Sequence, residues 1–472
     1  MINKFIIVLF TSSLILSQNF IYDSDDWYAL KSAGSIRSIT EGPFSVYFAT
    51  DNGIFSYNFL DDIIEYDFEL NRGMDVNNKI ISIHYDKYSD QVWIATDNGI
   101  FYKNSIFNTF NKVDFNNSNT YNLYNIGSLG SVNKYVIAQY GLGYIFIDSF
   151  SGSEIKPPPD FNLNDINWSP SLYDYRMNDI DVSNYYADNW IIGFKTIIDK
   201  YGKQESVNIY FEDSQLNLWF GTNKGSLIKG YKYTNKVDVL KIGPFSKGIT
   251  SVTNNKKGDW FLASGKFRRY GSISQFNYSK ESNPFISIWN EYDNSWKYLN
   301  ESDFSELSNP DVNCIYYIND NSLAIGLMRG LLITSLDNFK DYQFIDMKDG
   351  IADESVFKID YYDNKLFIMT IKGISIYSLE SNFIIEENIL DYFDLSDSEV
   401  LDMALIKDKL YFSTKAGLFQ YYINERKIDK ISNNIFFDID YHNNSIYGLN
   451  HDLWLINLDN YNESILRSGS AR

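Results

Sequence analysis

Apolar and polar residues follow each other in short runs along most of this chain, with no sustained helical period. "KIISIHYD" (79–86), "QVWIAT" (91–96) and "GIFYKN" (99–104) are strand-length runs, broken by turn residues such as Asp97 and Asn98. The run "QVWIAT" is apolar on both faces, as expected for a strand sandwiched between two neighbours. The pattern then repeats itself. "VYFATDNGIF" (46–55) returns as "VWIATDNGIF" (92–101), with Gly53 and Gly99 separated by 46 residues.

Weaker copies follow, each a strand, a turn and a second strand. Their turns fall at Gly143, Gly225, Gly265, Gly330, Gly373, Gly417 and Asp452, at successive spacings of 44, 82, 40, 65, 43, 44 and 35. Periods of about 40 to 50 residues built from strands alone indicate propeller blades. The prediction is an all-β chain, a β-propeller of four-stranded antiparallel blades. In one blade, 79–86 is the inner strand, 91–96 the second, 99–104 the third, and a strand near 108–115 the outer one. Asn52-Gly53 and Asn98-Gly99 read as hairpin turns in which Asn-Gly supplies positive φ. Gly225, Gly330, Gly373 and Gly417 take the same structural role in later copies.

Two spacings exceed the period, which places insertions at about 151–189 and 266–284. With those removed, the chain after residue 18 is nearly all blade. The favoured arrangement is a single ring of eight or nine blades, with a seven-bladed ring plus a partial second ring as the alternative. Residues 19–32 are a candidate outer strand for the last sheet.

"EDSQLNLWFGTNKG" (212–225), "YDKYSDQVWIATDNG" (85–99) and "SVYFATDNG" (45–53) share an acidic residue, a short turn and a pattern close to N-L-W-I-G-T-x-x-G. In this they resemble the two-component-regulator propeller repeat. The resemblance covers most of residues 34–460. It implies a sensor-type propeller outside the cytoplasm, here without a kinase portion.

The N-terminus strengthens the extracytoplasmic reading. "MINKFIIVLFTSSLILSQ" has a lysine, a short apolar core and a small-residue exit, so residues 1–18 read as a secretory signal peptide and 19–472 as the mature chain. No later run has the length of a transmembrane helix. The expected location is periplasmic or secreted. The formal net charge of −20 disfavours phosphate backbones, so no nucleic-acid partner is expected. The single cysteine, Cys314, lies in a strand-like run and reads as a small buried residue.

Candidate chemistry concentrates in the insertions, because loops on a rigid scaffold carry binding. Trp168, Tyr173 and Tyr175 are candidate stacking surfaces, and Arg176, Arg268 and Arg269 candidate polar anchors, for a glycan, peptide or protein ligand. Both insertions are expected on the face that carries the Asn-Gly turns, sharing one site. No catalytic residue is assigned. The acidic run Asp391, Asp394, Asp397 and Glu399 lacks EF-hand spacing, so structural calcium has no support and no metal or cofactor is assigned. The leading reading is a non-catalytic, sensor-like binding module. The alternatives are a propeller-fold carbohydrate-active hydrolase or lyase, whose paired acids leave no linear signature, and a structural component of an envelope or secretion assembly.

Overall fold

The computed structural model describes residues 30–469, apart from 75–77, 105–108, 116–125, 159–161, 175–179, 200–201, 245–248, 256, 265–267, 270–271, 274–285, 293, 300–302, 305–311, 320 and 396. The signal-peptide assignment, most of 19–32, Tyr175 and Arg176 thus lie outside the described residues.

Eight of the nine turns read from the sequence join neighbouring strands of an antiparallel sheet; Gly265 lies outside the described residues, between Asp259–Ser264 and Ile286–Asn290 of a ninth such sheet. These nine sheets are blades I to IX in chain order. Blade II has strands Ile80–Asp86, Gln91–Thr96, Gly99–Asn104 and Asn111–Lys112, as the run pattern predicts. Blade IX takes its fourth strand, Glu463–Arg467, from the chain's own end.

The repeated threonine and glycine have distinct tasks at the turn. Thr96 pairs with Gly99, leaving Asp97 and Asn98 as a two-residue loop. The Thr96 hydroxyl accepts from Asn98 N–H (3.1 Å) and donates to the Gly99 carbonyl (3.1 Å). Thr50 does the same around Asn52 and Gly53. Positive φ falls on the glycine and not on Asn52 or Asn98: Gly53 has φ 129° and Gly330 144°. This corrects the Asn-Gly reading, because the side-chain turn made by threonine fixes the loop and the glycine absorbs the reversal. Gly373 differs again. It has no positive φ, but an added Cβ would lie 2.1 Å from Asn388 Oδ1, so a larger residue there would displace the Asn388 side chain that holds Ile374 and Leu390 N–H.

The acidic residue of the repeat is a turn organiser. Asp213 accepts from Gln215 N and Asn217 N (2.9 Å each) and from the indole Nε1 of buried Trp219 (2.9 Å). In blade II, Asp86 instead binds Ser89, and the indole N–H of Trp93 has no hydrogen-bond partner among the described residues; the ring stacks on Tyr102 at 4.6 Å.

The chain divides into two compact units, 1–243 and 244–472. In the second, blades V to IX pack in chain order, joined by apolar clusters such as Phe261, Ile288, Ile315 and Ile325 between V and VI. In the first, chain order is not followed. A ring in sequence order puts blade III beside blade IV, whereas blade IV here packs on blade I through Trp219, Ile209, Phe48 and Tyr57. The long connection from III to IV carries the chain past blade I before blade IV begins.

Inner strands of adjacent blades are tied by side chains. In blades I, II, V and VIII the inner strand bulges just before Ser38, Ser82, Ser251 and Asp402. Each then accepts a backbone N–H from the next inner strand: Ile83 (3.1 Å), Leu129 (3.2 Å), Ile315 (3.1 Å) and Ile439 (2.8 Å). The bulge turns that residue toward the neighbouring blade, where its oxygen satisfies a donor that no sheet partner reaches.

Candidate binding site

The first insertion does not stay on a rim. Residues 166–174, "INWSPSLYD", run along the inner strands of blades I to III. Asn167 and Trp168 pair with Ser131 and Gly130 of blade III. Leu172 N–H then donates to Arg37 of blade I (2.8 Å), and Ser171 bridges Ser38. The short side chains of Ser169, Pro170 and Ser171 permit this close passage. Ser38 Oγ donates to the Pro170 carbonyl (2.7 Å), and Ser171 Oγ to that of Ile81 (3.1 Å).

His84 fastens the middle of this segment. It is 1% exposed, with Nδ1 2.8 Å from Ser169 Oγ and Nε2 2.9 Å from Ser131 Oγ. Burial lowers its pKa to about 4, against a smaller opposing effect from Asp86. The imidazole is therefore neutral at ordinary pH and serves as a strut.

The segment delivers Tyr173 to the edge that carries the Thr-x-x-Gly turns. Arg37 Nη1 donates to the Tyr173 hydroxyl (2.7 Å), while Arg37 Nε holds Asp51 of the blade I turn (2.6 Å). Lys79 Nζ lies 5.8 Å from the Tyr173 ring centre, and its backbone N–H donates to Asp97 of the blade II turn (3.0 Å). Tyr173 stays 45% exposed. Burial pushes its phenol pKa up, but Arg37 and Lys79 outweigh that and leave it below the usual tyrosine value. The result is an accessible ring backed by two cations, at an otherwise acidic surface.

The other sequence candidates differ in their surroundings. Trp168 is half-buried and packs against Tyr144, with ring centres 5.9 Å apart. Tyr175 and Arg176 are outside the described residues. Arg268–Arg269 form a two-residue strand with Ser272–Ile273, inside the expected insertion of blade V. That ribbon belongs to the second unit and the Tyr173 segment to the first. Arg37 and Lys79 were missed by sequence reasoning. Arg37 is the bulged residue of its inner strand and Lys79 immediately precedes the next one, and nothing in "SIRSIT" or "NKIISI" marks a cation that meets an insertion far along the chain.

The second unit has its own charged cluster on inner strands. Lys358 Nζ binds both Asp402 oxygens (2.9 and 3.1 Å), and Asp402 also holds Ile439 N–H. Asp360 Oδ2 is buried without a hydrogen-bond partner among the described residues. Burial pushes the Asp360 carboxyl up to about 7 and that of Asp402 to about 6, with Lys358 opposing in both cases. Cys314 sits beside this cluster, and burial raises its thiol to about 12, so it is not a reactive thiolate.

No protein-family description and no curated protein matches this chain. Among solved structures it is similar to the extracellular domain of the hybrid two-component-system protein BT4673 from B. thetaiotaomicron, at 12% identity and a TM-score of 0.36, over 92% of this chain and 66% of that one. It is also similar to the extracellular domain of BT3049 from the same organism (13% identity, TM-score 0.34, 93% and 78% covered). A third is PorZ, a surface component of the type-IX secretion system of Porphyromonas gingivalis (12%, TM-score 0.33, 92% and 69%). The chain thus spans 66% of the length of the BT4673 domain.

Proposed function

We propose that this protein is an extracytoplasmic, sensor-like binding propeller with no catalytic step of its own, and that its ligand docks at the turn edge of blades I and II. The observation that carries this reading is the delivery of Tyr173. A long insertion crosses three inner strands, is pinned by His84, and ends with an accessible ring held by Arg37 beside Lys79. Nothing in blade packing calls for an exposed tyrosine fixed in this way. The ring suits stacking on a sugar or peptide face, and Lys79 suits an acidic group on the same ligand. Trp168 belongs to the support of this site, since it packs against its own blade.

A glycan and peptide array probed with the mature chain tests the reading. Acidic glycans or acidic peptides should be retained, and Tyr173→Ala should lose them with its fold intact. Equal retention by the variant overturns the site. Hydrolysis is the second reading, and it has one observation behind it: two carboxyls near Lys358 titrate around neutrality. Release of chromogen from aryl glycosides, abolished by Asp360→Asn, would favour it.

A further inference from the structure

A separate cavity lies on the outer side of the first unit, between blades IV and I. Its volume is about 320 Å³, within the range of ligand pockets. It is lined by Trp190, the acids Asp62, Asp188 and Asp238, Lys229, and the strand Val237–Leu240. Trp190 arrives on the hairpin Trp190–Ile192 and Thr196–Asp199, which adds two strands to the inner side of blade IV.

The charges there are unequally satisfied. Lys229 is consumed by Asp62 (2.9 Å) and by the hydroxyl and ring of Tyr57. Asp188 is paired with Lys236 (2.9 Å). The Asp238 side chain is exposed and makes no hydrogen bond or close ion pair among the described residues, Lys236 acting on it only at longer range. The cavity therefore keeps a net negative wall. Trp190 also already bears a cation: Lys241 Nζ lies 5.4 Å from its ring centre.

The backbone adds a direction. Val237–Lys241 is the outermost strand of blade IV. Val237 spends its N–H on the Tyr186 carbonyl (3.0 Å), where a short parallel bridge from Tyr186 to Lys236 covers the edge. Two residues on, Val239 presents the same side, and no backbone bond to it outside the sheet occurs among the described residues. The open edge begins where the cavity does.

We propose that this cavity docks an extended polypeptide segment bearing a basic side chain. Its backbone extends the pairing that Tyr186 begins, and its ammonium or guanidinium lies between Asp238 and Trp190. This is strand addition with a charge pocket for register. It concerns a different surface from the Tyr173 site and stands or falls separately.

The test uses the full mature chain labelled with 5-fluorotryptophan, with the Trp190 resonance assigned by Trp190→Phe. Acetyl-Val-Arg-Val-amide is titrated against three controls: the citrulline analogue, the analogue N-methylated at its backbone, and N-acetylglucosamine. The arginine peptide should shift the Trp190 resonance saturably, and the three controls should not. Asp238→Asn should weaken the peptide up to about fivefold, the upper end for one exposed ion pair. Absence of a saturable shift, an equal shift with citrulline or with the N-methylated peptide, a response to the sugar instead, or no change in Asp238→Asn would each overturn the proposal.

Discussion

The two units solve one problem with different chemistry. In the first, inner strands are tied by neutral groups: Ser38, Ser82, Thr40 and His84. In the second, Ser251 and Thr253 begin in the same style, but further along Lys358, Asp360 and Asp402 take over. A hydroxyl and a carboxylate both accept a backbone N–H at this position. They differ in what happens when protons move. Neutral stitches leave stability nearly independent of pH except through His84, whereas carboxyl stitches make it depend on pH through the acids themselves. The repeat thus fixes the place of the tie and leaves its pH response free to vary.

The largest expected effect is in the first unit. His84→Ala removes the buried imidazole, leaves Ser131 without its ring partner and Ser169 with only Thr40, and should cost about 2–3 kcal/mol. Segment-resolved hydrogen exchange should show the loss in blades I to III and in 166–174, with blades V to IX unchanged. Loss spread equally over both units would break the comparison.

Lys358→Ala is the counterpart in the second unit. It strands Asp402 and Asp360, but Lys358 is 35% exposed, so solvent screening holds the cost below the full buried-pair range, at about 2 kcal/mol. Exchange should rise in blades VII to IX alone. A variant as stable as the parent would show that Asp402 needs no cation and that the carboxyl stitch is self-sufficient.

The pH responses should have opposite signs. Asp360 and Asp402 have folded pKa values above the ordinary carboxylate value, so the folded state holds their protons more tightly. Their contribution to the second unit is fully present below about pH 4 and is lost as pH rises through about 6 to 7. His84 has a folded pKa below its ordinary value. Its contribution to the first unit is present above about pH 6.5 and is lost as pH falls toward 4. Exchange at pH 5 and pH 8 should therefore protect the second unit better at pH 5 and the first better at pH 8. Asp360→Asn should flatten the one trend and His84→Gln the other. Parallel trends in both units would refute the assignment.

The smallest stability effect belongs to Tyr173→Ala. The ring is accessible and its loss leaves Arg37 on Asp51, so the change should stay within about 0.5 kcal/mol. A shift of several degrees in the melting transition would make Tyr173 a structural residue and weaken the binding proposal.

Nine blades were legible because a blade is a local object. Strand alternation, the Thr-x-x-Gly turn and the organising acid all lie within about twenty residues, and each carries its own physical cause. Gly53 and Gly99 marked the turns correctly, although the reason assigned to Asn52 and Asn98 was displaced by the threonine. The insertions at about 151–189 and 266–284 were read from breaks in the period. Their destinations were not. Tyr173 was legible as a candidate, but its partners Arg37 and Lys79 were not, since they stand 136 and 94 positions earlier in the chain.

The sequence by itself determined the all-β blades and their turns, because those follow from side-chain period and local hydrogen bonding. Only the tertiary structure decided that blade IV packs on blade I, that 166–174 lies against inner strands, and that Lys358, Asp360 and Asp402 gather on neighbouring blades. Those outcomes depend on which surfaces bury each other and on how far burial shifts a proton. Both are set by contacts between residues far apart in the chain, for which a linear pattern of apolar and polar positions has no term.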